Sequence, residues 1–314
     1  MARWTAEQIP DQGGRTVLVT GANSGLGFHT ALQLARHGAC VLMSARDSAR
    51  GEQALAKLRA AEPDAEVELL PLDLADLSSV RATAAGVATR CERLDLLVNN
   101  AGVMAIPYRQ TLDGFELQLG TNHLGHFALT GLLLPLLQAA PAGRVVTVSS
   151  GAHRMVGGIN FDDLQATRGY QKWNAYCQSK LANLLFAAEL DRRARASGSS
   201  LISVAAHPGY AATNLQHVGP QMDGSRLRTA LMVVANRTVA QSDAAGALPS
   251  LYAATMPDVV GGEYFGPDRF REMRGHPVRV GRSAAAQDAP AAARLWAVSE
   301  ELTGVAYPLS AAAT

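Results

Sequence analysis

The stretch Arg15-Thr-Val-Leu-Val-Thr-Gly-Ala-Asn-Ser-Gly-Leu-Gly-Phe28 decides the fold of this chain. Its first part, Thr16 to Thr20, is a short run of β-branched and apolar residues, a pattern typical of a buried parallel strand. Glycines follow at positions 21, 25 and 27, and apolar residues then recur at helical spacing up to Gly38. A strand, a glycine-rich turn and a helix form a unit that binds a diphosphate, because glycines let the backbone approach the ligand and the helix N-terminus presents free N–H groups.

The glycine spacing, Gly-x-x-x-Gly-x-Gly, differs from the Gly-x-Gly-x-x-Gly of the usual dinucleotide fingerprint. A loop of this kind can also be an ordinary turn between a strand and a helix. Thr20 before the loop and the polar pair Asn23-Ser24 inside it favour the binding function. The predicted phosphate-binding residues are Gly21, Asn23, Ser24, Gly25, Leu26 and Gly27.

The end of the next strand bears on which dinucleotide would bind. This strand, Cys40 to Ser44, is followed by Arg46 and Asp47. An acid at this position holds the adenosine ribose of NAD, whereas an arginine accommodates the 2′-phosphate of NADP. We favour NADP(H) bound by Arg46, with Asp47 capping a helix from Ser48 to about Ala60. The alternative is NAD(H), with Asp47 on the ribose and Arg46 as a solvated surface charge.

A candidate for proton transfer is Tyr176-Cys-Gln-Ser-Lys180, together with Ser150 upstream. Tyr176 and Lys180 are four residues apart, so on a helix they share one face. A nearby ammonium lowers the pKa of a phenol and prepares it for acid–base work. Ser150 ends an apolar run, where its hydroxyl can hydrogen-bond a reacting oxygen. Taken alone, such a pair is more often a half-buried tyrosine followed by a solvated lysine, and the glycine-rich stretch is what favours catalysis.

With these motifs in their order, the chain resembles the short-chain dehydrogenase/reductase family over about residues 14 to 270. The similarity extends to Asp73-Leu74, Asn99-Asn-Ala-Gly102, Asn122 and Pro208-Gly209. The resemblance implies a catalytic set of Asn122, Ser150, Tyr176 and Lys180. It further implies cofactor contacts from Asp73, Leu74, Asn99, Ala101, Gly102, Tyr176, Lys180, Pro208, Gly209 and Thr213.

The resemblance also implies a reaction, namely hydride transfer that interconverts a carbonyl and an alcohol. Tyr176 would exchange the proton, Ser150 would hold the oxygen, Lys180 would lower the pKa of Tyr176, and Asn122 would hold a relay water. The branch most similar is the retinol dehydrogenase-like and WW-domain oxidoreductase-like one, which suggests an apolar or ring-bearing substrate. Two alternatives stay open: reduction of a C=C bond with NADPH, and a non-catalytic nucleotide-binding regulatory protein.

Composition agrees with an α/β protein whose core is buried on both faces of a sheet. The chain has 314 residues, is 48% hydrophobic and carries a net charge of +1 without a basic run, which argues against nucleic acid as a partner. Strand and helix patterns alternate without a polar linker, which predicts a doubly wound parallel sheet of Rossmann type. We expect an extension at 1–14, one domain at 15–283 with a small substrate lid at about 214–245, and a helical tail at 284–314.

The remaining sequence features bear on the cellular compartment, on metal binding, on membrane insertion and on the oligomeric state. Three scattered cysteines without a Cys-x-x-Cys suit a reducing cytoplasm, where we expect the protein to reside. His123 and His126 have no further ligand at metal spacing, so we expect no metal and a structural role for both. Leu129 to Leu137 is too short to span a membrane and predicts a buried helix. The resemblance implies pairing of this helix and the Tyr176 helix in a homodimer or homotetramer.

Overall fold

The computed structural model describes residues 3–210 and 241–309. It confirms the doubly wound α/β fold. An eight-stranded sheet has the order β3-β2-β1-β4-β5-β6-β7-β8, with β8 antiparallel to β7 and all other neighbours parallel. The strands are β1 Thr16–Val19, β2 Cys40–Ala45, β3 Val67–Pro71, β4 Leu96–Asn99, β5 Arg144–Val148, β6 Ile202–Ala206, β7 Tyr264–Arg269 and β8 Arg274–Arg279.

Helices cover both faces of this sheet. On one face lie α1, α2 and α7, and on the other lie α3, α5, α6 and α8. The helices are α1 Gly25–Arg36, α2 Ser48–Ala61, α3 Leu77–Ala88, α4 Leu117–Leu119, α5 Gly125–Ala139, α6 Lys172–Ala196, α7 Asp243–Thr255 and α8 Ala289–Thr303.

Strand β1 shows why its apolar run becomes a central strand. Val17, Leu18 and Val19 are all fully buried. Val17 and Val19 belong to the core on the α1 face, and Leu18 belongs to the core on the α5 face. Successive side chains of a strand point to opposite faces, so a sheet covered on both sides needs a continuous apolar run.

The strand order places a crevice at the carboxyl end of β1. Strand β1 pairs with β2 on one side and with β4 on the other, so the connections that leave β1 and β4 run to opposite faces. In open parallel sheets, ligands bind at this switch point. The glycine-rich turn after β1 therefore lies where a dinucleotide would bind.

Helix α5 begins in an irregular way. Helix α4 leads into a π-helical stretch, Gly120–Leu124, which contains Asn122 and runs directly into α5. Such π-helical turns are rare and occur frequently at functional sites. The predicted buried helix at Leu129 to Leu137 is confirmed as the second half of α5, with Pro135 inside it.

The C-terminal part of the chain packs on α5 and α6 and shares their hydrophobic core. Trp296 of α8 and Tyr307 lie against Phe127 and Phe186, with ring centroids 4.9 to 6.5 Å apart. The Tyr307 hydroxyl donates to the carbonyl of Phe127 over 2.5 Å. Within the described ranges, every helix is too short or too polar to cross a bilayer.

Candidate active site

The glycine-rich turn after β1 has the close backbone packing that its sequence predicts. Gly21 and Gly25 have φ of +64° and +56°, a region that side chains with a Cβ disfavour. A Cβ on Gly27 would lie 2.4 Å from the Gly21 carbonyl oxygen and 2.5 Å from Nδ2 of Asn100. The third glycine therefore brings the first turn of α1 against the strand ends.

The N-terminus of α1 leaves its N–H groups free for a ligand. Its N-cap residue, Ser24, makes no side-chain hydrogen bond to the helix. In contrast, the N-caps of α2, α3, α7 and α8 each accept a backbone N–H with their side chain. Free N–H groups and the positive end of the helix dipole favour an anion at this end of α1.

A groove of about 1120 Å³ runs along the carboxyl edge of β1, β2, β3 and β4. Most of the predicted cofactor residues line it. The lining includes Gly21, Asn23, Ser24, Gly25, Leu26, Gly27, Arg46, Asp73, Leu74, Ala101 and Gly102. The volume of the groove, the free N-terminus of α1 and the glycine-rich turn fit a dinucleotide.

The far end of the groove is basic. Arg46 is exposed at the end of β2, and Arg50 and Lys57 of α2 line the groove beside it. Asp47 accepts the backbone N–H of Arg50 over 3.0 Å, which confirms its predicted role as the cap of α2. Arg50 and Lys57 were not predicted from the sequence, although their spacing of seven residues places both on one face of α2.

Beneath the groove, Thr20 connects the glycine-rich turn to β4. Its hydroxyl oxygen accepts the backbone N–H groups of Asn100 and Ala101 over 2.9 and 3.0 Å. It also lies 2.9 Å from Nε2 of His126, whose Nδ1 lies 3.1 Å from the Asn122 carbonyl oxygen. These partners are satisfied when Nδ1 of His126 donates to Asn122 and the Thr20 hydroxyl donates to Nε2.

His126 is therefore a structural residue, as expected. It joins the glycine-rich turn to the π-helical stretch that holds Asn122. Burial lowers the pKa of His126 to about 4, so the ring is neutral at physiological pH. His123 lies 2.9 Å from the Ser299 hydroxyl of α8, and no group of three metal-binding side chains occurs in the described parts of the chain.

Asn99 ends β4 and Asn100 follows it, and of the two only Asn100 lines the groove. Asn99 was expected to contact the cofactor, but its side chain is fully buried and donates to the Thr130 hydroxyl of α5 over 3.0 Å. Asn100 lines the groove instead, and its Nδ2 donates to the Thr20 carbonyl over 2.8 Å. A strand alternates its side chains between faces, and Asn99 is still within β4.

Asn122 lies next to the groove, but its own polar atoms bind protein. Oδ1 accepts the Val103 N–H over 2.7 Å, and Nδ2 donates to the Val103 carbonyl and to the Ser179 hydroxyl, each over 2.9 Å. A Cβ on Gly102 would lie 3.0 Å from Asn122 Oδ1 and 3.6 Å from Lys180 Nζ. Asn122 thus holds the loop after β4 against α6, close to Gly102 of the groove and to Lys180.

The catalytic candidates Ser150, Tyr176 and Lys180 lie next to one another outside the groove lining, with Lys180 close to Gly102, which lines it. Ser150 follows β5, Tyr176 and Lys180 lie one turn apart on α6, and a hydrogen bond joins the side chains of Tyr176 and Ser150. Lys180 Nζ lies 5.9 Å from the centre of the Tyr176 ring and donates to the Val148 carbonyl over 3.1 Å. Ser149 faces away, because its hydroxyl donates to the Lys180 carbonyl over 2.7 Å.

The electrostatics of this site correct one expectation. Lys180 was expected to lower the pKa of Tyr176, but burial raises the pKa of Tyr176 to about 12, and the hydrogen bond from Ser150 only partly offsets this effect. Burial likewise lowers the pKa of Lys180 to about 8. Low polarity disfavours the charged form of both groups, and Lys180 is not among the groups that shift the pKa of Tyr176.

Pro208 and Gly209 also lie outside the groove lining. Pro208 and Gly209 follow β6 beside the end of β5, and the Ser149 N–H donates to the Ala206 carbonyl over 2.8 Å. Thr213 lies outside the described residues. The same holds for the predicted lid up to position 240, while its last residues form the start of α7.

The family profile of the short chain dehydrogenases matches residues 15–223, which is more than half of the chain. The chain belongs to the short chain dehydrogenase family. The match begins at β1 and includes the glycine-rich turn, the groove and the Ser150, Tyr176 and Lys180 set. The predicted resemblance is therefore confirmed, and this short chain dehydrogenase is an oxidoreductase.

Curated relatives agree with the predicted branch. Retinol dehydrogenase 13 of Homo sapiens is 42% identical over 299 residues, covering 94% of this chain and 86% of the relative. Polyprenol dehydrogenase of Mus musculus is 42% identical over 303 residues, with coverage of 94% and 86%. The short chain dehydrogenase described here is thus retinol dehydrogenase-like, and relatives with equal identity act on different alcohols by name.

Solved structures support the same fold. The crystal structure of an uncharacterized protein from Mycobacterium Paratuberculosis is 48% identical, with a TM-score of 0.80 over 98% of this chain and 100% of that one. The Pseudomonas aeruginosa RhlG/NADP active-site complex has the same fold at 23% identity, with a TM-score of 0.63 over 81% and 94% of the two chains. Family, fold and groove together make this short chain dehydrogenase a binder of a nicotinamide dinucleotide.

Proposed function

We propose that this protein is an NADP(H)-dependent oxidoreductase that interconverts an alcohol and a carbonyl on an apolar substrate, with Tyr176 as the acid and base. The observation that carries this proposal is the proximity of three side chains to one another beside Gly102, which lines the groove. The Tyr176 hydroxyl is hydrogen-bonded to the Ser150 side chain, and the Lys180 ammonium lies beside the Tyr176 ring. A substrate oxygen between Ser150 and Tyr176 would accept one hydrogen bond and exchange one proton.

The preference for NADP(H) rests on the basic end of the groove. Arg46, Arg50 and Lys57 contribute three positive charges there. The acid of that region, Asp47, is engaged as the cap of α2. A 2′-phosphate carries about two negative charges near neutral pH, so an arginine at the end of β2 favours the phosphorylated dinucleotide.

In this proposal, each side chain has a distinct task. A bound nicotinamide dinucleotide supplies or accepts the hydride, and its oxidised ring adds a positive charge. Tyr176 gives its proton to the carbonyl oxygen or takes one from the alcohol. Ser150 holds that oxygen and stabilises its negative charge, and Lys180 would hydrogen-bond the nicotinamide ribose hydroxyls.

The proposed substrate is an apolar alcohol or its carbonyl counterpart. Trp173 lies one helical turn before Tyr176 on α6, with its ring centroid 6.1 Å from that of Tyr176 and about half of its surface exposed. Met155, five residues after Ser150, is also largely exposed. These side chains offer an apolar rim near the reacting groups. The names of the curated relatives, retinol and polyprenol dehydrogenases, agree with an isoprenoid alcohol.

The test is a titration of the purified protein with NADPH and with NADH, followed by a panel of substrates. The panel contains ethanol, retinol, a short polyprenol and their aldehydes, and turnover is followed by absorbance of the reduced nicotinamide. We expect tighter binding of NADPH and turnover that increases with the apolar surface of the substrate. Product analysis shows whether the carbonyl or a C=C bond changed. Binding without turnover of any member would contradict the proposal.

The variant that tests Tyr176 is Tyr176→Phe. It removes only the hydroxyl, so we expect a loss of turnover of roughly 10²-fold or more while NADPH binding stays within about twofold. The matched control is Tyr252→Phe, because Tyr252 donates to Asp258 at the surface of α7, away from the groove. Full activity in Tyr176→Phe would remove Tyr176 from the role of proton donor.

A further inference from the structure

The turn between β7 and β8 has an unusual backbone. Phe270, Arg271 and Glu272 follow one another with φ of 50°, 55° and 64°, which lies in the left-handed region. Residues with a Cβ rarely adopt this conformation singly, and three in succession require support from their surroundings. An observed outlier of this kind points to a function for the side chain that the turn presents.

Glu272 is the residue of this turn that reaches the site. Its carboxylate lies 3.1 Å from Nε2 of His207 and accepts from Nη2 of Arg154 over 3.3 and 3.4 Å. Arg154 stands four residues after Ser150, and His207 stands immediately before Pro208. One carboxylate thus joins the turn that follows β5 to the turn that follows β6.

On the β6 side, the two ring nitrogens of His207 connect Glu272 to Gly209. The buried ring accepts the Gly209 N–H at Nδ1 over 3.3 Å, so the proton on Nε2 can be donated to Glu272. A Cβ on Gly266 of β7 would lie 2.0 Å from Nε2, so only glycine there allows this ring position. The neighbouring Tyr210 N–H donates to the Met273 carbonyl over 2.7 Å.

On the β5 side, Glu272 contacts Arg154 of a short 3₁₀ helix, Gly151–Met155, which begins directly after Ser150. His153 of that helix is fully buried, with Nδ1 2.7 Å from the Ser150 carbonyl and Nε2 accepting the Ser283 N–H over 3.3 Å. Arg154 is the next residue in the same helix. Whatever holds Arg154 therefore also constrains the backbone of Ser150.

We propose that Glu272 is a positioning residue that sets the separation between the Ser150 turn and the Pro208-Gly209 turn. Strands β5 and β6 are adjacent in the sheet, with Val148 opposite Ala206, so both turns leave the same edge. This inference rests on the proposed function, because the oxygen held by Ser150 reacts only in a fixed geometry. A displacement of the reacting atoms by about 1 Å can cost two orders of magnitude in rate.

The variant Glu272→Gln keeps the size of the side chain and removes its charge. Hydrogen exchange of the protein without cofactor, followed by mass spectrometry, reports directly on peptides 203–210 and 149–155. We expect faster exchange in both peptides, because the Gly209 amide and the Ser150 turn lose their shared anchor. We further expect a kcat about tenfold lower, a larger primary deuterium isotope effect, and a Kd for NADPH within about twofold.

The matched control is Glu263→Gln. Glu263 is bonded to Arg279 of β8 in the same hairpin, but it does not contact either turn. We expect that variant to leave both peptides and the isotope effect unchanged. Arg154 has a side chain that is 41% exposed, so Arg154→Gln tests the other half of the contact if Glu272→Gln does not fold.

Two outcomes overturn the positioning role. One is unchanged hydrogen exchange in both peptides of Glu272→Gln. The other is faster exchange with an unchanged kcat and isotope effect, because the contact would then hold the turns without affecting the reaction. If the wild-type protein turns over no alcohol or carbonyl, the proposed function fails, and the exchange experiment alone decides whether Glu272 joins the two turns.

Discussion

Tyr176 and Lys180 lie in one buried environment that moves their pKa values in opposite directions. The pKa of Tyr176 is raised to about 12, and that of Lys180 is lowered to about 8. Burial is the first cause in both cases, since a phenolate and an ammonium both lose hydration. The chain thus keeps a protonated tyrosine next to a lysine that titrates close to physiological pH.

The buried Lys180 predicts how stability depends on pH. Its folded pKa of about 8 lies below its ordinary value of 10.5, so the unfolded state binds more protons between these values. The free energy of unfolding should therefore rise with pH in this window, by about 2 kcal/mol between pH 8 and 9.5. We expect chemical denaturation of the wild type to show this rise and Lys180→Met to lack it.

The control for this experiment is Lys57→Met, because Lys57 is exposed on α2. We expect Lys57→Met to keep the rise of the wild type. A rise of the same size in Lys180→Met would show that another group causes it. The measurement stays below pH 10 because the raised pKa of Tyr176 predicts a loss of stability at higher pH.

Arg46 predicts which dinucleotide binds more tightly. Its side chain is exposed at the end of β2 and lines the groove, whereas Arg50 is paired with Asp47 at 3.6 Å. A charge-assisted contact to a phosphate contributes about 1.5–3 kcal/mol. We expect Arg46→Ala to raise the Kd for NADPH by roughly 10- to 100-fold, with little effect on NADH, in titrations followed by fluorescence.

The matched variant is Arg50→Ala, which removes a charge of the same sign from the first turn of α2. Because Asp47 already neutralises part of that charge, we expect a smaller effect on NADPH than Arg46→Ala causes. An equal weakening of NADPH and NADH in Arg46→Ala would place Arg46 away from the 2′-phosphate. That result would favour Asp47 as a ribose ligand and NAD(H) as the cofactor.

At the scale of an element, the first turn of α1 depends on Gly27. A Cβ there would meet two groups at 2.5 Å or less, the Gly21 carbonyl oxygen and the Asn100 amide, and one of them is backbone. We expect Gly27→Ala to displace the glycine-rich turn, to lower the melting temperature and to weaken NADPH binding by more than tenfold. Calorimetry and a fluorescence titration on the same sample measure both effects.

Gly86→Ala is the control for this element. Gly86 lies inside α3, and the nearest contact to a Cβ there is the flexible end of Arg90 at 3.4 Å. Alanine favours a helix over glycine by up to about 1 kcal/mol, so we expect an equal or higher melting temperature and unchanged binding. Unchanged NADPH binding in Gly27→Ala would mean that the glycine-rich turn does not bind the cofactor.

At the scale of the whole molecule, the C-terminal segment covers the helices that the family resemblance pairs in a dimer. Trp296 of α8 is 2% exposed among the rings of Phe127 and Phe186, and Arg193 of α6 lies over its ring at 4.6 Å. A Cβ on Gly131 of α5 would lie 2.7 Å from the Tyr307 ring. The aromatic face of α5 and α6 is thus occupied within one chain.

This packing predicts the effect of Trp296→Ala. Removing a fully buried tryptophan costs about 3–5 kcal/mol, so we expect a large fall in the free energy of unfolding in urea. The control is Trp173→Ala, whose side chain is 49% exposed and should cost less than about 1 kcal/mol. Equal losses in the two variants would contradict the packing of α8.

The same packing bears on the oligomer. We expect the protein in solution not to dimerise through α5 and α6, because Trp296 and Tyr307 already fill that face. Light scattering on the wild type measures the mass. A dimer that dissociates when an exposed residue of α5 is changed would show that the covered face still has room for a second copy.

The amino-acid sequence by itself determined the fold class and most of the groove. The apolar run of β1 and the three glycines are local signals, because a buried strand and a close backbone turn each restrict which residues fit. The cap at Asp47 and the one-turn spacing of Tyr176 and Lys180 are local in the same sense. Patterns of this kind can be recognised without knowing what packs against them.

Only the tertiary structure decided the features that depend on distant segments. The side chain of Asn99 lies in the core, where it donates to the Thr130 hydroxyl of α5. The pKa of Tyr176 rose because its surroundings exclude water. Glu272 reached Arg154 and His207, 118 and 65 residues away, because the β7–β8 hairpin ends beside β5 and β6. Burial and long-range contacts are properties of the assembled chain, so no local pattern encodes them.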